Sequence, residues 1–227
     1  MKTISKAFAL TALALSVAAC SNIERSRNLA NPRVSGSTLA QQVCASCHGG
    51  AVGQDNGTSI NPSYPNLAGQ QAVYLETELQ EFHDHSRTDP AAKDMMWGLA
   101  SQLTTAQMKQ LAEFYAQQKP HPNLNQNDPA LVASGQKIFS EGRAAQGVPA
   151  CATCHGPSAE GNGPIPRLAG QHADYLYKQL MVFNTDAGRE THSEALERPH
   201  GVAMDAISHN LSDLEKHQVA AYLQSLR

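Results

Sequence analysis

Aromatic residues are scarce in this chain of 227 residues: they make up 5% of it, with a single tryptophan. Hydrophobic residues nevertheless make up 41% of the sequence. A packed core is therefore possible, provided that something other than aromatic rings fills part of it. An excess of positive charge is also missing, since the formal net charge is -3. This charge balance argues against nucleic-acid binding as the main function.

Long apolar runs are rare as well, and the clearest one covers residues 7 to 19, behind Lys2 and Lys6. It is too short to span a bilayer comfortably, and it stops at Cys20. We expect residues 1–19 to be a lipoprotein-type signal peptide whose cleavage leaves a lipidated Cys20, with an ordinary secretory signal as the alternative. Residues 20–35 are polar, and we expect a flexible tether there.

No cysteine is left over for a disulfide. Besides Cys20, the four others lie in two copies of Cys-x-x-Cys-His, at residues 44–48 and 151–155. This is the pattern of covalent haem attachment, because helical spacing places both sulfurs on one face and the histidine follows beside them. We expect two haem c groups, with thioether bonds and iron ligation from Cys44, Cys47, His48, Cys151, Cys154 and His155. Because haem c is attached outside the bacterial cytoplasm, we expect a periplasmic protein anchored to a membrane by Cys20.

The sequence around these motifs also repeats. A Pro-x-Leu-Ala-Gly-Gln block occurs at residues 65–70 and again at 166–171, and Ala-x-Tyr-Leu follows each copy closely. We therefore predict two homologous domains, residues 36–120 and 128–227, joined by a linker at residues 121–127 that is rich in proline and asparagine. Domains this small gain from a cofactor that completes the core.

Helical signals dominate both repeats. Asp128 and Pro129 form a cap followed by a proline at the first helical position. The patterns Thr104-x-x-Gln107 and Ser212-x-x-Glu215 are capping boxes for the last helix of each repeat. No two-residue alternation indicates a sheet. The sequence predicts an all-α fold with long loops around a cofactor.

The second iron ligand is expected to be methionine, because its thioether favours Fe(II) and raises the reduction potential. Met96 and Met204 occupy equivalent positions of the repeat, so they are the predicted ligands, with Met95 as the fallback in the first domain. The histidines outside the motifs have no repeat partners. We expect them, His172 included, at the surface, and His200 is the alternative ligand near Met204.

These features resemble the class I cytochromes c, and more closely the dihaem cytochrome c4 family. The resemblance rests on the Gly-Val-Pro-Ala-Cys-Ala-Thr-Cys-His-Gly stretch at 147–156, the two Pro-x-Leu-Ala-Gly-Gln blocks and the Ala-x-Tyr-Leu that follows them. It implies two tandem class I cytochrome c domains packed face to face, with haem propionates near the interface. It also implies that the carbonyl groups of Pro65 and Pro166 accept hydrogen bonds from the rings of His48 and His155.

The resemblance further implies single-electron transfer between periplasmic or membrane partners. A bc1-type complex or a dehydrogenase is the expected donor, and a terminal oxidase is the expected acceptor. Four residues are candidates for propionate contacts or interface packing: Tyr74, Trp97, Arg167 and Tyr175.

Three other functions are compatible with part of the pattern. An electron-accepting cytochrome subunit of a periplasmic dehydrogenase would have a sequence of this kind. A dihaem peroxidase needs one five-coordinate haem, whereas both repeats offer a methionine. A zinc or thioredoxin-like use of the Cys-x-x-Cys pairs does not explain the histidine that follows each pair. We expect an electron carrier and no enzyme.

Overall fold

The structure is a computed structural model, and it describes residues 27–49, 57–123, 127–187 and 198–227. Within these ranges it contains helices, turns and loops, two isolated β-bridges and no strand. The prediction of an all-α fold is confirmed. The apolar side chains form two separate cores, one in each half of the chain. The predicted signal peptide and Cys20 lie outside the described residues.

The described residues of the first half form four helices. Helix α1, residues 36–48, joins three consecutive segments, Gly36–Leu39, Ala40–Cys44 and Ala45–His48, of which the middle one has π-helical hydrogen bonding. The other three helices are α2 (Ala72–His83), α3 (residues 92–100, made of a π-helical Ala92–Met96 and an α-helical Trp97–Ala100) and α4 (Thr105–Ala116).

The second half repeats this order, except that its first two helices, which are separate, correspond to α1. Its helices are α5 (Pro129–Glu141), α6 (Ala152–His155), α7 (Ala173–Ala187), α8 (Val202–His209) and α9 (Asp213–Ser225). Short 3-10 turns, Ala144–Gln146 and Pro199–Gly201, precede α6 and α8. Both cores form where the first and last helices of a half meet, α1 on α4 and α5 on α9.

The predicted helix starts are confirmed. The side chain of Asp128 accepts the N–H of Ala130, and Pro129 is the first residue of α5. Both capping boxes are complete, with the Thr104 and Ser212 hydroxyls accepting the backbone N–H of residues 107 and 215 and those side chains reaching back. Each box satisfies backbone groups that the first helical turn leaves without partners.

Equivalent glycines allow the first and last helices to approach closely. A Cβ on Gly36 would lie 2.5 Å from Cβ of Gln110, and a Cβ on Gly135 would lie 2.0 Å from the carbonyl oxygen of Gln218. These separations are shorter than van der Waals contact. Any side chain at either position would push the helices apart.

The prediction of a flexible tether over residues 20–35 is wrong for residues 29–34. Leu29 is buried in the first core, and Val34 packs against that core. The amide of Gln107 donates to the carbonyl oxygens of Asn31 and Val34, at 2.9 and 3.0 Å. The apolar side chain and the two hydrogen bonds hold this segment on the first domain.

Helices α3 and α8 were not predicted. Glycine, proline and asparagine around them indicated loops. Residues 91–96 nevertheless contain alanine, lysine and methionine, and residues 202–206 contain alanine and methionine, which favour helix. The two helices matter for function because α3 includes Met96 and α8 includes Met204.

Candidate functional site

The two motif histidines are oriented in the same way. Nδ1 of His48 lies 3.0 Å from the carbonyl oxygen of Pro65, and Nδ1 of His155 lies 3.1 Å from that of Pro166. A carbonyl oxygen only accepts hydrogen bonds, so Nδ1 carries the proton in both rings. Nε2 is then left with its lone pair, which is the form that binds a metal.

Burial lowers the pKa of both histidines, and the proline carbonyls oppose this shift only in part. His48 and His155 are therefore neutral at neutral pH. Neutral imidazole is the ligating form, so each ring is ready to bind iron without first losing a proton.

The cysteines lie on the helical turns that precede these histidines. Cys44 and Cys47 are half-buried in α1, Cys151 caps α6 and is half-buried, and Cys154 is exposed. Burial raises the pKa of the Cys44 and Cys151 thiols to about 11. Before haem attachment, these two are therefore neutral thiols at pH 7.

The chain leaves each motif through a glycine. Gly49 has a φ of 83°, in the left-handed region that glycine favours, and a Cβ there would lie 1.8 Å from the carbonyl oxygen of Thr58. This close approach brings Thr58 against the turn directly after His48, and the carbonyl of Pro65 reaches the ring of that histidine.

The two predicted methionine ligands differ from their alternatives in their surroundings. Met96 is half-buried and packs against the first core, whereas the side chain of Met95 is 41% exposed. Met204 is half-buried on α8. Nδ1 of His200 contacts the carboxylate of Glu81 in the other domain. These placements favour Met96 and Met204. Two thiols, one neutral imidazole and one thioether in each domain are a donor set that suits haem c.

A buried charge cluster joins the two domains. Glu78 of α2 accepts hydrogen bonds from Arg87 in its own domain and from Arg198 in the other. Gln179 of α7 also accepts from both guanidinium groups, at 3.1 and 2.7 Å. Arg198 donates further to the hydroxyl of Tyr74, at 3.1 Å. Burial alone would raise the pKa of Glu78, but the two arginines hold it below its usual value.

The four candidates for interface or propionate contacts are dispersed. Tyr74 belongs to the charge cluster, and the backbone of Arg167 bonds to Gln70 across the interface. Trp97 donates from its indole to the carbonyl of Arg87 at 2.8 Å and stacks on His85. Tyr175 is half-buried on α7.

The prediction that His172 lies at the surface is wrong, because this side chain is 3% exposed. Its Nε2 donates to the carbonyl oxygen of Ser59 in the other domain at 2.9 Å, and Asn123 donates to its Nδ1 at 3.0 Å. The sequence did hold a signal for this burial, since His172 directly follows the repeated Pro-x-Leu-Ala-Gly-Gln block.

Among the described residues, no helix is long and apolar enough to cross a membrane.

Comparison with known proteins agrees with this geometry. The family profile "Cytochrome c" matches residues 34–119 and 132–227. Cytochrome c-552 of Acidithiobacillus ferridurans is 36% identical over 183 residues, which cover 81% of this chain and 73% of that protein. Cytochrome c4 of Azotobacter vinelandii is 33% identical over 193 residues, covering 81% and 84%.

Two further relatives extend the comparison. The solved structure of cytochrome c4 from Acidithiobacillus ferrooxidans superposes with a TM-score of 0.68 at 35% identity, covering 81% of this chain and 98% of that one. A thiosulfate dehydrogenase electron acceptor of Thiomonas intermedia is 34% identical over 182 residues, covering 79% and 76%. The chain therefore belongs to the cytochrome c family, among the dihaem cytochromes c4, and is an electron carrier with two covalently bound haem c groups and redox proteins as partners.

Proposed function

We propose that each domain binds one haem through its own Cys-x-x-Cys-His motif and through the methionine of α3 or α8. The ligand sets are Cys44, Cys47, His48 and Met96 in the first domain, and Cys151, Cys154, His155 and Met204 in the second. The observation that carries this proposal is the pair of hydrogen bonds from Nδ1 of the histidines to Pro65 and Pro166, because they leave Nε2 of each ring available. A bound haem c supplies an iron that takes up and releases one electron.

The protein supplies the orientation and the environment. The proline carbonyls fix the ring planes and the tautomers, and burial keeps both imidazoles neutral. A haem held by both a histidine and a methionine would leave no iron position for a substrate, which suits electron transfer. We place the domains at residues 36–120 and 128–227 with a linker at 121–127. Two separate cores and two family matches support this division.

We further propose that the protein works in the bacterial periplasm, attached to a membrane by a lipidated Cys20. The support is the apolar run of residues 7–19 that ends at this cysteine. The proposed donor is a bc1-type complex or a dehydrogenase, and the proposed acceptor is a terminal oxidase. The similarity to a thiosulfate dehydrogenase electron acceptor favours a second candidate, the electron-accepting subunit of a dehydrogenase. Affinity capture of the holoprotein from membranes separates the two by the partner recovered.

Paired alanine variants test the ligand assignment in the first domain. Met96→Ala opens one iron, so one haem of the reduced protein should bind carbon monoxide and its reduction potential should fall. Met95→Ala is the matched control, one residue away, and should leave spectrum and potential unchanged. Carbon monoxide binding by Met95→Ala alone would transfer the ligand role to Met95, and no binding by either variant would overturn methionine ligation there.

A further inference from the structure

Two buried glutamines tie the domains together in a reciprocal way. Gln70 and Gln171 end the two Pro-x-Leu-Ala-Gly-Gln blocks, and each is 6% exposed. Oε1 of Gln171 accepts the backbone N–H of Asn66 at 2.9 Å, and its Nε2 donates to the carbonyl oxygen of Asn66 at 3.0 Å. Gln70 does the same to Arg167, at 2.6 and 2.9 Å. Each side chain therefore holds one backbone residue of the opposite domain.

The peptide groups that these glutamines hold are the ones that orient the motif histidines. Asn66 directly follows Pro65, so its N–H and the carbonyl of Pro65 belong to one peptide group. That carbonyl accepts from Nδ1 of His48, while the N–H donates to Gln171. In the second domain, the peptide group between Pro166 and Arg167 links His155 to Gln70 in the same way.

Hydrogen bonds in such a chain polarise one another. When the N–H donates to a glutamine oxygen, the carbonyl of the same peptide group becomes more negative and accepts more strongly from the histidine. A stronger bond at Nδ1–H makes the imidazole a better electron donor through Nε2. A better donor stabilises ferric iron, which lowers the reduction potential. The low exposure of both glutamines keeps solvent from screening the effect.

The glutamine oxygens are also held in position from within their own domains. Oε1 of Gln70 accepts the N–H of Gln71 at 2.9 Å, and Oε1 of Gln171 accepts the N–H of His172 at 3.0 Å. Each oxygen is therefore held at the start of α2 or α7 by its own domain as well as across the interface. Contact between the domains completes both hydrogen-bond chains, one to His48 and one to His155.

We propose that Gln70 and Gln171 are positioning residues, each of which sets the donor strength of the histidine ligand in the other domain. The reduction potential of each haem then depends on contact with the domain that does not bind it. This inference rests on the proposed ligation of iron by His48 and His155. It adds a role for a residue pair that touches neither haem ligand directly.

The variant Gln171→Leu tests the proposal, because it removes the acceptor of the Asn66 N–H and keeps a similar volume. Cooperative polarisation changes a hydrogen bond by about 10–30%. We therefore expect a change on the order of twofold in the reduction equilibrium, or about 18 mV for one electron. Redox titration should show a higher potential for the haem of the first domain and an unchanged one for the second. Gln70→Leu should reverse this assignment and is the independent second variant.

A spectroscopic readout separates the proposed chain from simple loosening of the interface. In the reduced, diamagnetic protein, the NMR resonance of Nδ1–H of His48 should move upfield in Gln171→Leu, while that of His155 stays in place. The matched control is Gln71→Leu. Gln71 donates across the same interface to the carbonyl oxygen of Glu160 at 2.9 Å. The N–H of that peptide group, on Gly161, donates to the backbone carbonyl oxygen of His155 and not to its ring. It should move neither resonance and neither potential.

Two sets of results would overturn the proposal. Equal shifts of both haems in Gln171→Leu, matched by Gln71→Leu, would show that the glutamine only holds the domains together. Unchanged potentials and resonances with wild-type haem spectra would show that no polarisation reaches the iron. Both leave the proposed ligands intact. Failure of the ligation itself would instead appear in the wild-type protein, as spectra without histidine and methionine coordination.

Discussion

Replacement of Glu78 by glutamine removes the negative charge between two buried arginines. The exposed fraction of the side chains is 9% for Glu78, 4% for Arg87 and 6% for Arg198. Glutamine has nearly the same shape and keeps one acceptor oxygen. Glu78→Gln therefore removes the charge and one of the two acceptor oxygens, at a point where the two domains meet.

The expected loss of unfolding free energy depends on the partners that each arginine keeps in the variant. Breaking a buried ion pair by removing one partner costs about 3–5 kcal/mol. Arg87 keeps Asp89, whose carboxylate lies 2.6 Å from its Nε, and Arg198 keeps the hydroxyl of Tyr74. We therefore expect the lower end, about 3 kcal/mol of unfolding free energy. In a protein of this size, that lowers the melting temperature by about 6–12 °C.

Thermal unfolding of the holoprotein at pH 7, followed by circular dichroism, measures this loss. The matched control is Glu113→Gln, which changes an exposed glutamate of α4 and should shift stability by no more than about 0.5 kcal/mol. Because the folded-state pKa of Glu78 is lowered, its contribution is present above the unfolded pKa of about 4.3 and disappears as the pH falls through the folded pKa. The difference between wild type and variant should therefore shrink towards pH 3. Equal melting temperatures for wild type and Glu78→Gln at pH 7 would refute the reasoning.

Three further changes have defined outcomes. Gly135→Ala places a methyl group 2.0 Å from a backbone oxygen of α9. Urea unfolding should show that the second domain is destabilised by about 1–3 kcal/mol. Unchanged stability would contradict the close contact between the helices. Met204→Ala should open the second haem to carbon monoxide and lower its potential, whereas the control His200→Ala should not, and the reverse result would make His200 the ligand. Cys20→Ser should release the protein from membranes into the soluble fraction. Retention in the membrane fraction would indicate that a protein, and not a lipid, is the anchor.

The sequence revealed local chemistry well. The two Cys-x-x-Cys-His motifs, the capping boxes and the proline that begins α5 are short patterns whose spacing fixes one geometry, so the sequence alone predicts them. The internal repeat then selected Met96 and Met204 from six methionines. The helices around these methionines were missed, because nearby glycine and proline outweighed a short run of helix-forming residues.

Contacts between the domains could not be predicted from the sequence. Glu78, Arg87 and Arg198 are far apart along the chain, and as single residues they look like ordinary surface charges. Gln70 and Gln171 were visible as a repeated pair, but a repeat does not show which surface a side chain reaches. His172 was assigned to the surface for the same reason, since its burial depends on Ser59 in the other domain.

The mass of the denatured protein tests the central claim most directly, because only covalent attachment survives denaturation. We predict that the wild-type chain retains two haem groups. The double variant Cys44→Ser with Cys47→Ser should retain one, and so should Cys151→Ser with Cys154→Ser. A wild-type chain without covalent haem, or a double variant that still holds two, would contradict the assignment of one haem c to each motif.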